Sequence, residues 1–263
     1  MFAKLLKHEL KASSGLLSIL SAAALGVGLL GGFLLRFAVN RGMEGNDVEV
    51  LVILAFVALP FVFISLLAYS LGGQIYLAVQ FYKSKFTDRG YLTFTLPVRA
   101  WQIYLSSLIN IVLWTVIIGL VVAGAFVITV VIGLIDTPVW REMKVVFNMV
   151  PLEEVVGIYG FSGWSLVQSV LGYFSSAVTL ITGITLGCVV AKKHKVLASV
   201  GFYFAITAVI GIVNAVVSIT SMFATLAGEL DLAYITTTCI EAAVVIGGSI
   251  VSVLLMDRKL NLP

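Results

Sequence analysis

Six long apolar runs dominate this chain, at about 16–39, 51–80, 102–135, 163–191, 197–227 and 233–256. A helix needs roughly 20 apolar residues to cross the hydrocarbon core of a bilayer, so each run is long enough to span one. Hydrophobic residues make up 60% of the sequence and charged residues 11%. A soluble domain carries about 45–50% and 25%. The expected fold is all-α: a polytopic membrane protein with six transmembrane helices, forming a single domain over residues 1–263.

The charges between the runs alternate in sign from one interval to the next. Lys4, Lys7 and Lys11 precede the first run, and Lys83, Lys85, Arg89 and Arg99 separate the second from the third. Lys192, Lys193 and Lys195 follow the fourth, and Arg258 and Lys259 come after the sixth. These are 12 of the 16 basic residues. The other intervals hold Glu44, Asp47 and Glu49, then Asp136, Glu142, Glu153 and Glu154, then Glu229 and Asp231. Basic residues stay on the cytoplasmic side of a membrane, so both termini are expected there and the acidic intervals outside. The first run is longer than a signal peptide's apolar region and has no convincing cleavage site, so it is expected to remain as a span.

The longest intervals, 81–101 inside and 136–162 outside, are too short for a separate soluble core. The sequence has no phosphate-binding loop, no H-E-x-x-H and no G-x-S-x-G. Both histidines, His8 and His194, sit among lysines, where they read as solvated surface groups. The chain is therefore not expected to be an enzyme, and if it uses ATP, another chain must bind it. Cys188 and Cys239 fall within different predicted spans at different depths, which suits packing rather than a disulfide or a metal pair. A net charge of +3 reflects topology and gives no reason to invoke nucleic acid.

Two cytoplasmic segments carry more pattern than topology requires. In residues 1–14, Lys4, Lys7 and Lys11 form one stripe at helical spacing, and Phe2, Leu5, Leu6 and Leu10 another. That arrangement suits a helix lying in the membrane interface before the chain turns into the bilayer. The interval 81–101 has aromatic or leucine side chains at 81, 82, 86, 91, 92, 94 and 96, interleaved with Lys and Arg. So many apolar groups on a cytoplasmic loop form a docking surface for another protein or a segment seated in the headgroup layer. Thr87 or Asp88 can cap a short helix, Gly90 permits a tight turn and Pro97 disfavours helix at Leu96.

The amphipathic start from Phe2 to Lys11, the six-span plan and above all Thr87-Asp88-Arg89-Gly90-Tyr91-Leu92-Thr93-Phe94-Thr95-Leu96-Pro97-Val98 resemble ABC-2 type permeases, the membrane subunits of a class of bacterial ABC transporters. The plan covers the whole chain; the specific wording is confined to this loop. The resemblance implies that 81–101 holds a coupling helix docking on a separate ATP-binding cassette subunit, with Asp88, Gly90, Tyr91, Leu92, Leu96 and Pro97 as the coupling positions. It implies that 1–14 is an interfacial connecting helix. It further implies a second permease subunit, identical or related, and a place in the bacterial cytoplasmic membrane. ATP and Mg would be bound by the partner ATPase, with no cofactor in this chain, and the cargo exported would be a hydrophobic or amphipathic compound, a peptide or a lipid. Arg89 stands where related sequences often carry an acidic residue, and the long outer interval is 136–162 rather than the one before the last span. A structural or sensory subunit of a larger membrane complex is the alternative. An ion-coupled transporter is a third reading.

Within the spans Glu241 is conspicuous, because an ionisable group at membrane depth costs roughly 2.5–3.5 kcal/mol on insertion scales and needs a partner or a cavity. Arg36, also in the outer half, is a candidate partner, and the two are candidate substrate-path or gate residues. Gln74, Asn110, Gln168 and Asn214 read as interhelical hydrogen-bonding groups. Gly28 with Gly32, and Gly183 with Gly187, have the GxxxG spacing that lets helices approach closely. The outer interval has apolar residues at helical spacing from Val139 to Val150, then Pro151, which suggests a helix lying over the outer mouth.

Overall fold

A computed structural model describes residues 2–44, 48–87, 99–135, 137, 140–141, 145, 163–191, 193–226 and 231–259. Its six long helices are α1 (Phe2–Glu44), α2 (Val48–Lys85), α3 (Ala100–Leu134), α4 (Gly163–Val190), α5 (Lys195–Leu226) and α6 (Asp231–Lys259). No strand occurs among the described residues. Each of the six contains a stretch long and apolar enough to cross a membrane. Helices satisfy that environment because every backbone N–H and C=O finds its partner within the segment. Pro60 lies inside α2 and removes one such donor.

The N-terminal segment differs from the expectation of a separate interfacial helix that turns before the first span. Phe2–Glu44 is one uninterrupted helix of 43 residues. At 1.5 Å per residue it is about 64 Å long, against about 40–45 Å for a bilayer with its headgroups. No proline separates the basic stripe from the apolar one, and the single Gly15, which costs only about 1 kcal/mol relative to alanine, does not interrupt the helix.

The chain divides into two compact units. One comprises Lys11–Tyr76 and Trp114–Gly160, and so contains most of α1 and α2 with the later part of α3. Here small residues set the spacing of the helices. A β-carbon on Gly28 would lie 2.7 Å from the Ala125 carbonyl oxygen, and one on Gly32 would lie 2.8 Å from Ile132 Cβ. The first GxxxG pair therefore faces α3. Polar bonds add to the packing: Ser21 and Tyr69 hydroxyls are 2.7 Å apart, Gln74 donates to Thr115 at 3.2 Å, and Thr129 donates to the Gly28 carbonyl at 2.9 Å.

The other unit comprises Met1–Leu10, Leu77–Leu113 and Phe161–Pro263. Its central element is α4, where Val178, Ile181 and Thr185 are fully buried. Helices α5 and α6 both pack on α4. Gly187 meets Ser199 backbone directly, and a β-carbon on Gly183 would lie 2.8 Å from Tyr203 Cα, so the second GxxxG pair seats α5. Away from α4, α5 presents Leu197, Phe204 and Ile212 outward. Apolar exposure of this kind suits lipid as the surrounding solvent.

Candidate functional site

The seam between α4 and α6 follows directly from residue spacing. Gln168, Gly172, Ser175, Thr179 and Thr182 recur every three or four residues and form one face of α4; Thr237, Glu241, Val244, Gly248 and Ser252 do the same on α6. Polar contacts close the seam at both ends. Gln168 donates to Thr237 at 2.9 Å at one end, and the hydroxyls of Thr182 and Ser252 are 3.0 Å apart at the other. Between these ends the α4 side chains are a glycine and short hydroxyls, too small to fill the space.

A cavity of about 200 Å³ results, lined by Gly172, Ser175, Ser176 and Thr179 from α4, by Tyr203, Thr207, Ile210 and Asn214 from α5, and by Ile240, Glu241 and Val244 from α6. All of these residues belong to one compact unit. Glu241 stands opposite Gly172, whose added β-carbon would lie 3.6 Å from Glu241 Oε1. Glu241 Oε2 is buried and has no hydrogen-bond partner among the described residues. Ser176 and Thr207 are exposed at the cavity edge.

Three of the hydroxyls lining the cavity donate to backbone. Ser176 donates to the Tyr173 carbonyl at 2.9 Å, Thr179 to the Ser175 carbonyl at 2.8 Å, and Thr207 to the Tyr203 carbonyl at 2.8 Å. A hydroxyl has one hydrogen and two lone pairs, so in this arrangement these three oxygens have lone pairs free to accept, and Asn214 adds a side-chain amide to the lining.

Arg36 lies half-buried on α1, in the other unit, and is itself engaged. Gln74 and Gln168 are interhelical hydrogen-bonding groups as expected, and Asn110 is buried and engaged. Asn214 instead lines the cavity. Both cysteines are free thiols, Cys188 half-buried and Cys239 exposed. Asp88, Gly90, Tyr91, Leu92, Leu96 and Pro97 lie outside the described residues, as does most of the interval 136–162.

A second cluster was not anticipated from sequence. Lys85, at the end of α2, is only 2% exposed and donates to Glu9 Oε1 at 2.6 Å. Ser106 and Ser107, near the start of α3, place hydroxyls 3.2 and 3.0 Å from the same oxygen. Each can also reach the Ile103 carbonyl, at 2.9 and 3.1 Å. The ionised carboxylate is the stronger acceptor. One carboxylate on the N-terminal helix thus holds both roots of the 86–99 interval. The available signal was slight: Glu9 is the one acid in a basic segment, and Ser106-Ser107 is a polar pair in an apolar run.

The chain is thus an all-helical protein, among its described residues, with six helices that can cross a membrane. No known protein family matches it, and the same is true of curated proteins and of solved structures.

Proposed function

We propose that this chain is the permease subunit of an ATP-driven ABC exporter, working with a second permease subunit and with separate ATP-binding cassette subunits that bind ATP and Mg. It resides in a bacterial cytoplasmic membrane with both termini inside and moves a hydrophobic or amphipathic compound, peptide or lipid outward. Residues 81–101 are its coupling element, and the first turns of α1 are its connecting helix.

The observation that carries this reading is the Glu9 cluster. A loop that receives force from a motor must transmit it, and a buried ion pair with two further hydrogen bonds is a stiff attachment. Glu9 fixes the N-terminal helix to Lys85 before the loop and to Ser106 and Ser107 after it. From the same root, Tyr104 and Ser249 hydroxyls meet at 2.8 Å and link α3 to α6. Ser249 lies eight residues from Glu241, about 12 Å along the helix. Displacement of the loop would then reach the cavity through α6.

The test is purification of the full chain from its native membranes. A P-loop ATPase should accompany it, crosslink to a cysteine placed at Tyr91, and lose chain-dependent ATP turnover when residues 88–97 are replaced by glycine and serine. A stable complex without an ATPase, or labelling of position 91 from outside the cell, would sink the proposal.

A further inference from the structure

We propose that the cavity around Glu241 receives a primary ammonium group carried on a small apolar body, so that the cargo of the transporter is a cationic amphiphile. This rests on the exporter reading above and names the substrate class of the site described there. Three observations converge on it.

Glu241 Oε2 is buried without a partner among the described residues, so a carboxylate is held inside a span with no counter-charge on that oxygen. The hydroxyls of Ser176, Thr179 and Thr207 donate to backbone carbonyls and leave their lone pairs free to accept. A carboxylate in a confined cavity favours a cation with N–H donors, and a primary ammonium presents three. It disfavours an anion, and a neutral hydroxyl gains no charge attraction from it.

Size separates an organic cation from a bare ion. A metal ion sits within roughly 2.0–2.6 Å of its oxygen ligands. A cavity of about 200 Å³ is far larger than that shell, and no metal-holding cluster of acidic, histidine or cysteine residues occurs among the described residues. An engineered apolar cavity of about 150 Å³ takes benzene, so this one accommodates a ring with a short ammonium tail. Ile210, Ile240 and Val244 supply an apolar wall for such a body. The exposed Ser176 and Thr207 mark the side from which it enters.

The probe is radiolabelled phenethylammonium, with the full chain held in phosphatidylcholine nanodiscs at neutral pH. Binding should be saturable. Glu241→Gln should weaken it at least tenfold, and 3-phenylpropanol and 3-phenylpropionate should fail to compete. Gly172→Leu provides an independent variant, because an added β-carbon meets only ordinary contact there and the longer side chain fills the cavity; it too should abolish binding. Absence of saturable binding to the wild type, unchanged binding to either variant, or equal competition by the neutral alcohol would overturn the proposal. If Glu241→Gln fails to fold, Gly172→Leu decides.

Nanodiscs containing phosphatidylethanolamine distinguish two sources of the ammonium. Loss of probe binding there identifies a lipid headgroup as the natural occupant, and retention identifies a free amine. Neither measurement uses an ATPase. A chain that binds the amine but recruits no ATPase overturns the exporter reading alone, and one that recruits an ATPase but binds no amine overturns this proposal alone.

Discussion

Replacing Glu9 with glutamine keeps the shape of the side chain and removes its charge, which leaves Lys85 buried without a counter-ion. The Lys85 side chain is 2% exposed and that of Glu9 14%, so the pair lies close to the fully buried case. Removing one partner of a buried pair costs about 3–5 kcal/mol, most of it the penalty of the abandoned charge. A glutamine oxygen still accepts from Ser106, Ser107 and Lys85, which holds the expected loss near ~3 kcal/mol, about two orders of magnitude in the folded-to-unfolded ratio. Glu9→Ala leaves Lys85 without the carboxylate or any replacement acceptor at position 9, while Ser106 and Ser107 fall back on the Ile103 carbonyl, and should approach ~5 kcal/mol. Loss of helicity followed by circular dichroism, as sodium dodecyl sulfate is titrated into dodecylmaltoside micelles, reads both. The double variant Glu9→Leu with Lys85→Met removes both charges together and should recover most of the loss, because an apolar pair of similar volume has no desolvation penalty. Salt should matter little to the wild-type pair, since buried charges are weakly screened. A Glu9→Gln protein within about 0.5 kcal/mol of wild type, or a double variant as unstable as the two single changes summed, would refute the assignment of Glu9 and Lys85 as a coupled buried pair.

Gly187→Val should separate α4 from α5 and destabilise by about 1–3 kcal/mol or more, because its β-carbon falls on Ser199 backbone. Thermal unfolding should show this, while Gly201→Ala, in a position with nothing within 4 Å, should be neutral or gain about 0.5 kcal/mol. Tyr104→Phe removes the link to Ser249 and should cost about 0.6–1.7 kcal/mol in the same assay. If the chain is an exporter, it should also lower transport more than it lowers ATPase binding. In a chain with Cys188 and Cys239 replaced, single cysteines within 88–98 should react with a membrane-impermeant maleimide only after the cytoplasmic face is opened, and cysteines within 146–160 should react in intact cells. The reverse pattern would invert the orientation.

Much of the architecture was legible because the bilayer imposes a simple length rule. Each apolar run became a helix, and apart from the start of α1 the described helices begin and end near the changes in composition. The two GxxxG pairs were legible for a related reason: a missing side chain at every fourth position is a groove wherever a second helix comes near. Glu241 stood out as a lone carboxylate in a span. The N-terminal helix was legible in its periodicity but not in its continuity, since nothing in the pattern distinguishes one helix of 43 residues from two shorter ones.

The polar residues of α4, by contrast, look ordinary in sequence. Serine and threonine are common in membrane helices, and their meaning depends on what stands opposite. Only packing shows that Ser176 and Thr179 share a cavity with Thr207 and Glu241, or that Lys85, one of several basic residues near the 86–99 interval, is buried against an acid 76 positions away. Sequence alone determined the six long apolar helices of the described residues, because transfer to hydrocarbon acts on each segment independently of the others. The cavity around Glu241 and the Glu9 attachment were decided by tertiary structure, because both require side chains from different helices to come together, and spacing along one helix does not specify its neighbour.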